Sequence, residues 1–170
     1  MKIYLAADHA GFELKEKIKV WLKETGYDIS DEGAFKLDPN DDYPDYIKVV
    51  ALQVSSDSSS RGLVFGGSGQ GEAIMANRYQ GVRAVVYYGA IAPHLPVDVG
   101  GRFGQDDLEI VRLTREHNNS NILSIGARFV NEVAAKEVIS LWLQTEFSQD
   151  ERHLRRLKKL DDLMSEENTF

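Results

Sequence analysis

Leu63-Val64-Phe65-Gly66-Gly67-Ser68-Gly69-Gln70-Gly71-Glu72-Ala73-Ile74 is an apolar run that enters a glycine-rich turn and opens into a helix. A continuous apolar run suits a strand buried on both faces, as inside a parallel sheet. The glycines at 66, 67, 69 and 71 let the backbone take left-handed conformations and approach a ligand without a Cβ in the way. The helix that follows offers unpaired N–H groups and a positive dipole end, a seat for an anion. Glu72 is out of keeping there, because a carboxylate beside an anion seat is better explained as a base than as a binder. A phosphorylated substrate and a proton transfer are therefore the first expectation.

Outward from this stretch, strands and helices alternate. Ile3-Tyr4-Leu5-Ala6-Ala7 is another apolar run, and Phe12, Ile18, Trp21 and Leu22 recur at helical spacing until Gly26. Tyr27-Asp28-Ile29 reads as a weaker strand at a sheet edge. Tyr46, Val49, Val50, Leu52 and Val54 indicate a helix after Pro44, against their β-branched content. Further helices are expected from Glu72 to Tyr79, from Leu108 to about His117, from Val133 to Leu143 and, heavily charged, from Asp150 to Met164. Strands are expected from Val82 to Tyr88 and from Asn121 to Ile125. The alternation predicts one α/β domain over residues 1–170, with a parallel sheet covered on both faces by right-handed crossovers. Ligands bind at the carboxyl ends of such strands, which gathers Asp8-His9, the glycine loop, the loop after Tyr88 and Gly126-Ala127-Arg128 on one edge.

Composition narrows the chemistry. A chain of 170 residues can bury roughly 70% of its unfolded surface. There is no cysteine, hence no disulfide, thiolate metal site or cysteine nucleophile. No apolar run approaches the ~18 residues of a membrane span, and no signal-peptide cleavage pattern is visible, so a cytoplasmic protein that avoids membranes is expected. The net charge of −7 argues against nucleic acid as a partner. It also requires an acidic protein that binds a phosphorylated metabolite to gather its cations locally. His9, His94, His117 and His153 have no metal-ligand spacing, and no metal site is expected from them.

Ala7-Asp8-His9-Ala10-Gly11-Phe12, Asp42-Tyr43-Pro44, the loop from Gly66 to Glu72, Ala76-Asn77-Arg78, Glu116-His117-Asn118-Asn119, Gly126-Ala127-Arg128 and Arg152-His153-Leu154-Arg155-Arg156 occur in that order. Together they resemble the ribose-5-phosphate isomerase B family, which includes galactose-6-phosphate isomerases, over nearly the whole chain. The resemblance implies a three-layer α/β/α, Rossmann-like fold with a five-stranded parallel sheet. It implies a homodimer or homotetramer with the site at the dimer interface and no cofactor. The implied reaction interconverts an aldose phosphate and a ketose phosphate through an enediol. Some family members use a cysteine just before the glycine loop as base, others a glutamate where Glu72 stands. Gly66 occupies the cysteine position here, so this chain is similar to the glutamate branch, for which ribose 5-phosphate is the expected substrate.

Each role that the resemblance implies has an ordinary structural alternative. Glu72 is the expected general base, its pKa lifted by partial desolvation; otherwise it is a helix N-terminal glutamate stabilised by the dipole. Ser68 and the N–H groups of Gly67, Gly69, Gln70 and Gly71 are expected on the enediolate oxygens, whereas glycine turns also serve tight packing. This one lacks the G-x-G-x-x-G register and the lysine of a P-loop. Asp8 is expected to hold substrate hydroxyls and His9 the sugar or its phosphate, against an Asx turn with an incidental histidine. His117 matches the family's ring-opening acid and Asn118 a substrate contact, although His117-Asn118-Asn119 also reads as a helix C-terminus. Arg128, Arg152 and Arg156 are the expected phosphate clamp. Arg152 and Arg156, four apart, share a helix face that equally suits solvent.

The segment from Gly89 to Asp106 is longer than the connection expected between this strand and the His117 helix. It reads as a lid, an added wall or a subunit contact, and it bears on the choice of sugar. A hexose 6-phosphate isomerase (galactose- or allose-type) and a non-catalytic sugar-phosphate-binding domain are the alternatives to a pentose phosphate isomerase.

Overall fold

The computed structural model describes residues 1–166. In chain order they form β1 (Lys2–Ala7), α1 (Phe12–Glu24), β2 (Asp28–Asp31), α2 (Tyr43–Ser56), β3 (Arg61–Gly66), α3 (Gln70–Ala76), β4 (Ala84–Tyr87), α4 (Glu109–Glu116), β5 (Ile122–Gly126), α5 (Glu132–Gln144) and α6 (Glu151–Glu166). The five strands make one parallel sheet in the order β2-β1-β3-β5-β4. The weak strand β2 lies at an edge, as its composition predicts. β3 sits at the centre.

The pleat explains the three layers. Successive side chains of a strand face opposite sides. Ile3, Leu5 and Ala7 of β1 join Leu63 and Phe65 of β3 beneath Ile18 of α1 and Val138 and Trp142 of α5. Ala6 and Val64 point the other way, against Ile47, Val50 and Val54 of α2 and Ala76 of α3. Ile47, Val50 and Val54 are thus part of the sheet-facing stripe of α2, and packing overrides their modest helix propensity. Trp142 is wholly buried, with its indole N–H donating to Ser120 Oγ at 2.8 Å. Truncating such a side chain typically costs about 3–5 kcal/mol.

Two boundaries differ from expectation for identifiable reasons. α3 begins at Gln70 rather than Glu72 because Gly69, with φ 78°, makes a left-handed turn immediately before it. Ser124 Oγ of β5 donates to the Gly69 carbonyl at 2.7 Å and fixes that turn. β4 is shorter than Val82 to Tyr88 because side chains take over its entry. Asn121 Oδ1 accepts from the Arg83 N–H at 2.7 Å, and Asn77 bonds both the N–H (2.8 Å) and the carbonyl (2.9 Å) of Ala84. Among the described residues, no helix is long and apolar enough to cross a membrane.

Candidate active site

β1 and β3 run in register, with Ala7 opposite Phe65, so the loops at their carboxyl ends meet. They enclose an open cavity of about 390 Å³ lined by Asp8, His9, Tyr43, Gly67, Ser68, Gly71, Glu72, Arg128 and Phe129. Asp8 is buried, and its Oδ1 accepts from the N–H groups of Ala10 (3.0 Å) and Gly11 (3.2 Å). The Asx turn read as an alternative is therefore real, and it is also what aims the carboxylate at the cavity.

His9 is held by Asp41. One carboxylate oxygen, Oδ1, accepts from the His9 backbone N–H at 3.0 Å and lies 2.7 Å from ring Nδ1. A carboxylate only accepts, so Nδ1 carries the proton in this pair. The bond to Asp41 raises the His9 pKa above 6.5, with Asp8 assisting and burial and Arg128 opposing. The second oxygen of Asp41, Oδ2, is buried without a hydrogen-bond partner among the described residues. Among the described residues, Asp8, His9 and Asp41 bring their ligand atoms within 4.8 Å of one another, a spacing that could hold a cation. Asp8 Oδ1 is already engaged by its own loop and Asp41 Oδ1 by His9, so the arrangement also serves as a hydrogen-bonding site.

Glu72 is 4% exposed at the floor of this cavity. Burial raises its pKa, the nearby charge of Asp8 adds to the rise, and its own backbone N–H opposes it. The carboxylate lies directly against the Cα of Gly66, with a Cβ at that position falling 1.7 Å from Oε1. The Arg128 guanidinium lies across Gly67, 3.3 Å from where a Cβ would stand, and the Tyr43 ring covers Gly71 in the same way at 2.8 Å. A buried carboxylate able to exchange a proton thus faces a cavity whose rim carries the Arg128 guanidinium and the His9 imidazole.

His117, Arg152 and Arg156 lie elsewhere. They line a second cavity of about 290 Å³ together with His153 and residues 96–99. His117 ends α4, and its ring stacks 4.2 Å from that of His153. Arg152 Nε donates to His153 Nε2 at 2.8 Å, which leaves the proton on His153 Nδ1, 3.0 Å from the His117 carbonyl oxygen. Burial lowers the His117 pKa, with His153 and Arg152 adding to the effect. Arg115 fixes the same helix end: it donates to the Thr145 carbonyl at 3.1 Å, to Asn119 Oδ1 at 2.9 Å and to the Ser120 carbonyl. Its burial drives its pKa down to about 10. Asn119 takes the left-handed conformation (φ 44°) that the C-terminal reading anticipates.

The sequence-predicted residues therefore fall into groups. Asp8, His9, Gly67, Ser68, Gly71, Glu72 and Arg128 share one cavity. Gly69 and Gln70 form the turn beneath it, with the Gln70 N–H donating to Ser68 Oγ at 3.3 Å. His117, Arg152 and Arg156 share another, and Asn118 borders a third with Arg83 and Asp161. Within one chain the three-arginine clamp is not assembled. Asp41, Tyr43 and His153 were not singled out from the sequence, although Tyr43 stands inside Asp42-Tyr43-Pro44 and His153 between the two arginines.

A family described as Ribose/Galactose Isomerase matches residues 3–94 and 105–160. Ribose-5-phosphate isomerase B of Mycobacterium tuberculosis is 36% identical over 157 residues, which is 92% of this chain and 86% of that protein. The structure of Clostridium thermocellum ribose-5-phosphate isomerase B superposes with a TM-score of 0.81 at 34% identity, covering 98% of this chain and 99% of that one. The Mycoplasma genitalium ribose-5-phosphate isomerase B structure, with bound ribulose-5-phosphate, gives a TM-score of 0.83 at 30% identity, covering 97% of each chain.

Proposed function

The chain belongs to the ribose/galactose isomerase family, and on that premise we propose that it interconverts ribose 5-phosphate and ribulose 5-phosphate. The observation that carries this reading is the buried Glu72 carboxylate, its pKa raised, on the floor of the Asp8–His9–Arg128 cavity. Glu72 takes the proton from C2 of the open-chain aldose, the carbon beside the carbonyl, and returns it to C1. The hydroxyl proton passes from the C2 oxygen to the C1 oxygen, so the product is an isomer with nothing added or lost. Negative charge on the enediolate oxygens meets the Ser68 hydroxyl and the N–H groups of the loop 67–71, donors that typically contribute about 10²–10³ in rate each. Asp8 and His9 hold the sugar hydroxyls. His117 serves as the acid that opens the furanose ring.

The complete site lies between two copies of the chain, one giving Glu72 and Arg128, the other His117, Arg152 and Arg156. The division of these residues between two cavities supports this, as do the exposed rings of Tyr88 and Phe129, stacked edge-on at 6.4 Å beside the Glu72 cavity. The enzyme works in the cytoplasm, as a homodimer or a pair of dimers. The test is incubation with ribose 5-phosphate in D₂O, following ketose formation and deuterium at the exchanging carbon. Turnover is expected with the unaltered chain, and Glu72→Gln should lose about 10²–10⁴ of it. Full activity in Glu72→Gln would move the base elsewhere.

A further inference from the structure

Residues 95–104 fall between the two spans that the family matches. They are nevertheless firmly built into the fold. The Ile91 N–H donates to the Asp107 carbonyl at 2.8 Å, closing the base of the segment, and the Val97 N–H donates to the Arg102 carbonyl at 2.7 Å near its tip. Arg102 then forks onto α4, with Nη1 2.7 Å from Glu109 and Nη2 3.0 Å from Glu116, while Nε stands 3.4 Å from Asp98. The Glu109 side chain is fully buried and also accepts from Arg112 at 3.2 Å and from the Gln105 N–H at 3.1 Å. A buried carboxylate left without such partners is strongly destabilising, so Arg102 ties the segment to the helix that ends at His117.

The tip of this segment borders the anion end of the site. Pro96, Val97, Asp98 and Val99 line the same 290 Å³ cavity as His117, Arg152 and Arg156. Asp98 accepts from the N–H groups of Gly100 (2.8 Å) and Arg102 (3.1 Å), so its charge is taken up inside the segment. Pro96, Val97 and Val99 are left as an apolar wall beside the two arginines.

We infer that residues 95–104 form a fixed, specificity-determining wall that sets the length of phosphorylated sugar the enzyme accepts. This rests on the isomerase reading and on its placing the phosphate at Arg152 and Arg156. With the phosphate seated there and the reacting carbons at Glu72, a sugar one carbon longer must bulge. At Pro96, Val97 and Val99 the wall meets the extra hydroxymethylene with side chains that cannot hydrogen-bond it, and burying an unpaired hydroxyl is unfavourable.

Two variants of the full chain test this, each checked by circular dichroism and thermal unfolding. In one, residues 95–104 are replaced by a short glycine-serine linker. In the other, Val99→Trp enlarges the wall at a side chain that is 88% exposed and so leaves the core untouched. The replacement should raise kcat/KM for an aldohexose 6-phosphate relative to ribose 5-phosphate by about tenfold or more, the scale on which pocket size discriminates one carbon unit. Val99→Trp should raise KM for ribose 5-phosphate about fivefold or more while kcat stays within about twofold, because it acts on binding rather than on proton transfer. An unchanged specificity ratio in the folded replacement, or an unchanged KM in Val99→Trp, overturns the inference. If the replacement fails to fold, Val99→Trp decides alone. An unaltered chain that isomerises neither sugar defeats the isomerase reading itself, and the wall with it.

Discussion

Gly66 and Glu72 compete for one space: a Cβ on Gly66 would lie 1.7 Å from Oε1 and 2.6 Å from Oε2 of Glu72. No side chain fits at position 66 while the carboxylate holds its place. The cysteine that other members of the family carry just before the glycine loop would therefore stand where the Glu72 carboxylate now is. Gly66→Ala should displace the carboxylate and cost about 10²–10⁴ in kcat, the worth of a positioned general base. The double variant Gly66→Cys/Glu72→Ala should recover part of the activity that Glu72→Ala alone loses, measured as ketose formed from ribose 5-phosphate. Absence of any recovery in a folded double variant would mean that the two positions do not address the same carbon.

The pH dependence follows from burial. Desolvation, and then the charge of Asp8, hold the Glu72 pKa above 4.5. A base must be ionised to act, so the acid limb of kcat/KM should lie above that value, and Asp8→Asn should move it downward. The stability effect has the same origin. The folded carboxyl holds its proton more tightly than the unfolded one, so stability falls as pH rises from 4.5 to the folded pKa and is level above it. Thermal unfolding of Glu72→Gln across this window should lack that fall.

His9 offers an independent reading of the same cavity. Its bond to Asp41 is the largest influence raising its pKa. Asp41→Asn should lower that pKa, seen in a proton NMR titration of the ring, and should free the ring to turn. If His9 holds substrate, as proposed, rather than moving the reacting proton, KM for the sugar phosphate should rise more than kcat falls. An unshifted titration would show that Asp41 does not set the state of His9.

The fold was readable because β3 is buried residue after residue, so its apolar run and the glycine turn behind it mark a central parallel strand. Strand edges were less readable wherever side chains do the work of the ladder, as Asn77 and Asn121 do at residues 83–84. Within the site, Asp8, His9 and the glycine loop follow strand ends directly, so topology alone brings them together. Asp41 was hidden for the opposite reason. Nothing separates it from Asp38 or Asp42 until residues 34–42 fold back and place its oxygen on His9. Helical spacing likewise put Arg152 and Arg156 on one face, but spacing carries no information about which cavity that face borders or whether Arg128 shares it.

The separation of Arg128 and Glu72 from His117, Arg152 and Arg156 has a direct consequence in mixtures. Suppose each complete site draws one group from each of two copies. Glu72→Gln chains and Arg152→Ala/Arg156→Ala chains, each nearly inactive alone, then form mixed dimers holding one intact site and one doubly damaged site. A two-fold interface makes this unavoidable, because each copy contributes both halves, to different sites. After unfolding and refolding together in equal amounts, half of the dimers are mixed, and activity should return to about a quarter of that of the unaltered enzyme. Size-exclusion chromatography confirms that dimers reform. If every site were built within a single chain, each chain in the mixture would still carry a damaged site. Activity in the refolded mixture no greater than the mean of the two variants would therefore place all the catalytic groups on one subunit.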